Sequence, residues 1–144
     1  MSEILLLSGP NLDQLGSRDP SQYGTQTLAE HVARLTDAVR AVGHDLRHVQ
    51  SNHEGDLIEA VHEARARSAA IIINAGALTH VSWALADALA LFEGPAVEVH
   101  LSNPAAREPY RHTSTLAGVV DGSIAGFRAL SYDLALEAVL RLLG

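Results

Sequence analysis

The sequence predicts an α/β fold, a parallel sheet with helices on both faces. Three observations carry the prediction. Short apolar runs at residues 4–7, 69–73 and 96–99 have the length and composition of strands buried on both sides. Longer segments between them repeat apolar residues at three- and four-residue spacing, as amphipathic helices do. The two kinds of segment alternate along the chain, and a parallel sheet needs a crossover helix between successive strands.

The first strand, residues 4–7, ends at Ser8-Gly9-Pro10-Asn11-Leu12. Residues 9–26 are polar and turn-rich, with Pro10, Gly16, Pro20 and Gly24. So long a segment without an element of its own is unusual in a compact domain and is often functional. We read its part at about residues 11–24 as a mobile lid carrying Asn11, Arg18 and Tyr23. A helix follows at 27–42: Thr27-Leu28-Ala29-Glu30 matches a capping box, and Leu28, Val32, Leu35, Val39 and Val42 form one stripe. Gly43 ends it. Residues 44–50 alternate weakly around Leu46 and Val49 and read as a strand. Ser51-Asn52-His53-Glu54 resembles a second capping box, before a helix at about 56–67 with Leu57, Val61 and Ala64 inward. The strand at 69–73 gives way to Asn74-Ala75-Gly76-Ala77 and a helix at 79–92, with Leu85, Ala88, Leu89 and Phe92 on one side. Gly94-Pro95 breaks that helix. A strand at 96–100, a polar loop, a short strand at 118–123 and a helix at 131–143 complete the chain. Neither a repeat nor a linker divides it, so residues 1–144 read as one domain. His31, His44, His48 and His62 read as exposed.

Composition excludes several chemistries. Apolar residues make up 47% and charged residues 19%, which is globular composition. A net charge of −7 argues against non-specific nucleic-acid binding, yet local arginines can still hold a small anion. The chain has no cysteine, hence no disulfide, thiolate nucleophile or cysteine metal site. It has no lysine either; all 10 basic residues are arginine, which rules out a lysine Schiff base and a P-loop lysine. No stretch approaches the ~20 apolar residues that span a bilayer, and the first residues lack the basic and long apolar regions of a signal peptide. The expectation is a cytoplasmic protein with no membrane partner.

The unusual polar residues collect after three strands. Asn11, Arg18 and Tyr23 follow the first, Asn74 and His80 the third, and His100, Ser102, Arg107 and Arg111 the fourth. In a parallel sheet these positions share one edge. In the flavodoxin-like order 2-1-3-4-5, strands one and three flank the topological switch point, where ligands bind. The chain carries no GxGxxG, Walker or HExxH motif, so a nucleotide or a bound metal is disfavoured. Arg, His, Asn and Ser around a tyrosine suit a small anionic, hydroxylated molecule and proton transfer.

These residues also resemble a known family. Gly9-Pro10-Asn11-Leu12, Leu15-Gly16-Ser17-Arg18-Asp19-Pro20 and Tyr23-Gly24 are similar to the N-terminal motif of type II 3-dehydroquinate dehydratases. Gln50-Ser51-Asn52-His53-Glu54-Gly55-Asp56-Leu57, then Asn74-Ala75-Gly76-Ala77-Leu78-Thr79-His80 with Ser82, continue the match. Glu98-Val99-His100-Leu101-Ser102-Asn103 and Arg107-Glu108-Pro109-Tyr110-Arg111-His112 complete it. The resemblance implies a flavodoxin-like three-layer sandwich with a five-stranded parallel sheet. It implies cofactor-free and metal-free dehydration of 3-dehydroquinate to 3-dehydroshikimate, in the shikimate pathway or quinate breakdown, by anti elimination through an enolate. It further implies trimers that assemble into dodecamers.

By the same resemblance Tyr23 is the base at C2 and His100 the acid for the departing C1 hydroxyl. Arg18 stabilises the tyrosine anion, and Asn11 helps hold the enolate through a water. Asn74, His80, Ser102, Arg111 and the backbone at Leu101 hold the substrate, with Arg107 in a secondary place. Asp87 reaches the site of a neighbouring subunit. The residue types suit these roles. A free phenol ionises near pH 10, so a tyrosine base needs a cation beside it, and arginine keeps its charge. Departures from the family pattern are Asp19, Val81, Trp83 and Tyr110; Trp83, one turn from His80, bears on pocket shape. Another enzyme acting on a related cyclic hydroxy-acid, and a binding module without turnover, are the alternative readings.

Overall fold

The computed structural model describes residues 2–144. Five parallel strands, β1 (Glu3–Ser8), β2 (Asp45–Gln50), β3 (Ala70–Asn74), β4 (Ala96–His100) and β5 (Gly122–Ala125), form one sheet in the order β2-β1-β3-β4-β5. This is the flavodoxin-like arrangement expected. Successive side chains of a strand point to opposite faces, and both faces here are apolar. Ile4, Leu6, Ile72, Val97 and Val99 pack under α2 (Leu28–Ala41) and α5 (Ala129–Leu143). Leu5, Leu7, Ile71 and Ile73 pack under α3 (Glu54–Arg67) and α4 (Trp83–Ala90). Two cores, one per face, make the three layers, and explain why the central strands read as unbroken apolar runs.

Several boundaries move for local reasons. The capping box at Thr27 and Glu30 is present and starts α2. The second is not: Ser51 Oγ accepts from the His53 N–H and donates to Asp56, and α3 begins at Glu54 without a side-chain cap. The expected helix at 79–92 is two pieces. A 3-10 turn, Gly76–His80, comes first, and Ser82 then caps α4 by accepting from Leu85 N–H. The last strand lies further along than 118–123, because Leu116 O accepts from Val119 and Val120 N–H and closes a turn there. The long segment after β1 is also less irregular than expected, with a 3-10 turn at Leu12–Gln14 and a short helix, α1 (Pro20–Tyr23).

Three of the four histidines read as exposed are not. His31 is 1% exposed and lies against Tyr132, with ring centroids 5.1 Å apart. His48 and His44 are half-buried, His48 within 2.9 Å of Ser8 Oγ and His44 accepting from Ser2 N–H. His62 alone of the four is exposed. No helix among the described residues is long and apolar enough to cross a membrane.

Candidate active site

A close approach of two chain segments forms the mouth of the site. β1 and β3 are hydrogen-bonded neighbours whose chains run on above opposite faces of the sheet. Gly9 passes so near Ala75 that a Cβ there would come 2.3 Å from the Ala75 carbonyl oxygen, so only glycine fits. Asn11 follows with φ 69°, a left-handed conformation that asparagine tolerates, and its N–H donates to Asn52 Oδ1. Beyond these turns opens a cavity of about 130 Å³. Asn11, Arg18, Tyr23, Asn74, His80, His100, Leu101, Ser102, Arg107 and Arg111 all line it. Of the residues expected at the site, only Asp87 is elsewhere: it is exposed on α4. Trp83 is 68% exposed and does not line the cavity, so it leaves the pocket shape of this chain alone.

The centre of the site is a phenol between two guanidiniums. Tyr23 Oη accepts from Arg18 Nη2 at 3.0 Å and from Arg107 Nη1 at 2.8 Å. The Arg18 guanidinium also lies over the ring, 4.1 Å from its centroid. Arg107, read from sequence as secondary, therefore stands beside Tyr23 as Arg18 does, and its Nη1 reaches Ser102 Oγ at 3.1 Å as well. Among the described residues Arg107 makes no ion pair with the adjacent Glu108. Arg111 takes that carboxylate, Nε to Glu108 at 2.6 Å, and its Nη2 donates to Tyr110 Oη. Asp19 sits near this cluster, its carboxyl held below the usual range by hydrogen bonds from Ser21 and, less strongly, by the field of Arg107.

His100 is held by a buried carboxylate that sequence reasoning did not place in the site. Glu98 is 2% exposed, and its Oε2 lies 2.5 Å from His100 Nε2. Ser114 and Ser123 hydroxyls donate to the same carboxylate. Burial pushes the Glu98 carboxyl up; the bond and charge of His100 and the two serine bonds outweigh it, so the net displacement is downward. A carboxylate only accepts, so Nε2 carries a proton and Nδ1 is the nitrogen left for the cavity. The signal was available in sequence: residues two apart on a strand share a face, and Glu98 is the one charged residue in β4.

The remaining polar groups are oriented in the same way. His80 Nδ1 lies 2.8 Å from the Thr113 carbonyl oxygen, which puts the proton on Nδ1 and leaves Nε2 to accept. Asn74 Oδ1 accepts from Gly76 N–H, and its Nδ2 donates to Tyr132 Oη at 3.4 Å. Tyr132 is fully buried, and burial pushes its hydroxyl up to about 12. It therefore remains a neutral anchor behind Asn74, another residue the sequence reading left out. Among the described residues no cluster of three or more His, Asp or Glu is placed to hold a metal ion.

A doubly wound parallel sheet with a phenol, two guanidiniums and a carboxylate-held imidazole at its carboxyl edge has the site of an α/β enzyme, with side chains of the kinds used in acid–base chemistry. The match is specific as well as general. The chain belongs to the class II dehydroquinase family, described as "Dehydroquinase class II", which it matches over residues 2–140. It is 54% identical over 141 residues to the 3-dehydroquinate dehydratase of Xanthomonas oryzae pv. oryzae, covering 97% of this chain and 95% of that one. To the 3-dehydroquinate dehydratase of Halalkalibacterium halodurans it is 47% identical over 140 residues, 97% of each chain. The crystal structure of the type II dehydroquinase from Butyrivibrio crossotus superposes with a TM-score of 0.94 at 35% identity, over 96% of this chain and 97% of that one.

Proposed function

We propose that the protein dehydrates 3-dehydroquinate to 3-dehydroshikimate, with Tyr23 as base and His100 as acid. The observation that carries the reading is the pair of charged donors on Tyr23 Oη, from Arg18 and Arg107. Two charged N–H donors converge on that one oxygen and set a positive field at the atom assigned to take the proton. The names of the relatives support the substrate.

The chemistry follows from the groups present. The C2 proton of the substrate lies beside a ketone, so its removal gives an enolate. Tyr23 takes that proton, and Asn11 holds the enolate oxygen through a water. His100 gives a proton from Nδ1 to the leaving C1 hydroxyl. Donation from Nδ1 needs the doubly protonated ring, for which Glu98 is the counter-ion 2.5 Å away. Asn74, His80 Nε2, Ser102, the Leu101 backbone, Arg111 and Arg107 bind the hydroxyls and carboxylate. The segment at about 11–24 closes as a lid and excludes water.

We also propose that the chain works as a trimer or a larger assembly. Asp87 lies outside the cavity of its own chain, and Val81, Trp83 and Tyr110 are exposed, each by more than 60%, on the adjoining surface. A neighbouring copy covers them and receives Asp87. A fully active monomer in light scattering contradicts this.

The direct test is purified protein with 3-dehydroquinate, followed by the absorbance of the new enone. Turnover is expected, and it is expected to survive both EDTA and borohydride, since a chain without lysine cannot form a lysine imine. Absence of turnover, or inactivation by borohydride in the presence of substrate, rejects the reading.

A further inference from the structure

Arg128 has a backbone conformation that L residues rarely adopt. Its φ is 50° and its ψ −129°, and it and Asn11 are the non-glycine residues with positive φ among those described. Such strain persists only where the surroundings fix it, and it collects at functional sites. The side chain is exposed and, among the described residues, forms no ion pair. Its one hydrogen bond crosses 107 residues of chain: Nη2 donates to the Ser21 carbonyl oxygen at 2.9 Å. Its stem runs beside Gly24, φ +81°, where a Cβ would lie 3.6 Å from Arg128 Cδ. The backbone of Arg128 is anchored at the other side of the site, its N–H donating to the Leu101 carbonyl oxygen at 2.9 Å.

The two anchors matter because of what they adjoin. Leu101 lies between His100 and Ser102 in the cavity wall. Ser21 lies in α1, the four-residue helix that ends in Tyr23. A helix that short has no stability of its own, since nucleation alone outweighs its few bonds. Its place depends on ties to the rest of the molecule, and Arg128 supplies one from outside the cavity.

We propose that Arg128 is a positioning residue for Tyr23, a strap that ties α1 to the end of β4 and so holds the phenol across the cavity from His100. The proposal rests on the reading of Tyr23 as the base. Arg128→Gly is the informative variant, because glycine suits the backbone conformation and only the strap is lost. Millisecond hydrogen exchange of the Gln22, Tyr23 and Gly24 amides, which close α1 on Asp19 and Pro20, reads the strap without reference to catalysis. Exchange is expected to quicken and kcat/KM to fall, each by about three- to tenfold, the shift one ordinary hydrogen bond makes in an equilibrium. The thermal midpoint is expected to stay at or above that of Arg128→Ala, which keeps the strained backbone. Arg128→Lys keeps a donor and recovers part of the lost kcat/KM. A residue that served only the fold would leave Arg128→Gly with wild-type kcat/KM. Unchanged exchange overturns the strap, and faster exchange with unchanged kcat/KM overturns its positioning role. Failure of the Tyr23 reading shows separately, as full turnover in Tyr23→Phe.

Discussion

The two ends of the sheet use arginine in opposite ways. At the amino end Glu3 gathers Ser68 Oγ at 2.7 Å, Arg67 Nη2 at 3.0 Å and Arg47 Nε at 3.1 Å, and Arg47 also approaches Glu63. Both guanidiniums of this cluster, Arg47 and Arg67, face a carboxylate. At the carboxyl end Arg18 and Arg107 face the oxygen of Tyr23, and among the described residues neither pairs with a carboxylate. Paired charges cancel one another's fields and leave packing and modest stability. Unpaired guanidiniums around one phenol leave a positive field, which favours whatever negative charge forms or binds there. Arg111, which also lines the cavity, does pair with Glu108, so the contrast rests on Arg18 and Arg107, and the difference lies in what each guanidinium meets.

The strongest way to break this comparison is to remove the phenol oxygen. Tyr23→Phe changes little volume, so the protein is expected to fold and to bind a product analogue. Turnover is expected to fall by about 10²–10⁴-fold, the usual weight of a general base. Steady-state rates beside a calorimetric check of binding measure both; near-normal kcat places the base elsewhere. Next in size are the two cations. Arg18→Ala and Arg107→Ala are each expected to lose about 10²-fold in kcat, as when one donor to a developing anion is removed. On the proposed mechanism each acts through Tyr23, so combining either with Tyr23→Phe should cost far less than the product of the single losses. Losses that multiply would mean that the arginine acts on substrate alone.

Much of this site was legible in the sequence, because periodicity and turn chemistry place strand ends without knowledge of contacts. Asn11, Asn74 and His100 follow directly from where β1, β3 and β4 stop. What was missed depends on pairing across the fold. Arg107 read as secondary because spacing cannot say which of Glu108 and Tyr23 its side chain meets. Glu98 falls in the motif at residues 98–103 but has no role by sequence, since its partners Ser114 and Ser123 come from other segments. His31 read as exposed although it lies three residues from Leu28, on the face that meets α5; only the position of Tyr132 reveals the burial. The last strand was placed too early for a related reason. Residues 118–120 are apolar enough to extend, but the turn on Leu116 holds them out of the ladder.

A smaller effect sharpens the comparison within the carboxyl end. Glu98→Gln keeps the shape beside His100 and removes the counter-ion of its ring. kcat is expected to fall roughly ten- to a hundredfold, the usual weight of a partner that orients a histidine, with little change in KM because Glu98 does not line the cavity. A change confined to KM would show that Glu98 serves binding and not the acid.

The smallest expected effect compares the two carboxylates, Glu3 and Glu98, through acid. At Glu3 burial pushes the carboxyl up, but bonds from Ser68, Arg47 and Arg67 outweigh it and the net displacement is downward, as at Glu98. The sign of the stability effect follows. Below the ordinary glutamate value of 4.5 the unfolded chain takes up a proton before the folded one does. Each group therefore contributes stability that is fully present above that value and is lost as pH falls through its lowered folded value. In Glu3→Gln this contribution is absent at every pH, so the variant is expected to be about 1 kcal/mol less stable at neutral pH. The gap to wild type should close as acid protonates the native carboxylate. Turnover at neutral pH should be unchanged, since Glu3 lies at the far edge of the sheet from the cavity. Glu98→Gln should show the same closing gap in stability together with its loss of kcat. Denaturant melts of the three proteins at pH 7 and across the acid range, beside kcat at pH 7, measure both quantities. If Glu3→Gln lowers kcat, or if its stability deficit widens in acid, the separation of structural from functional charge between the two ends fails.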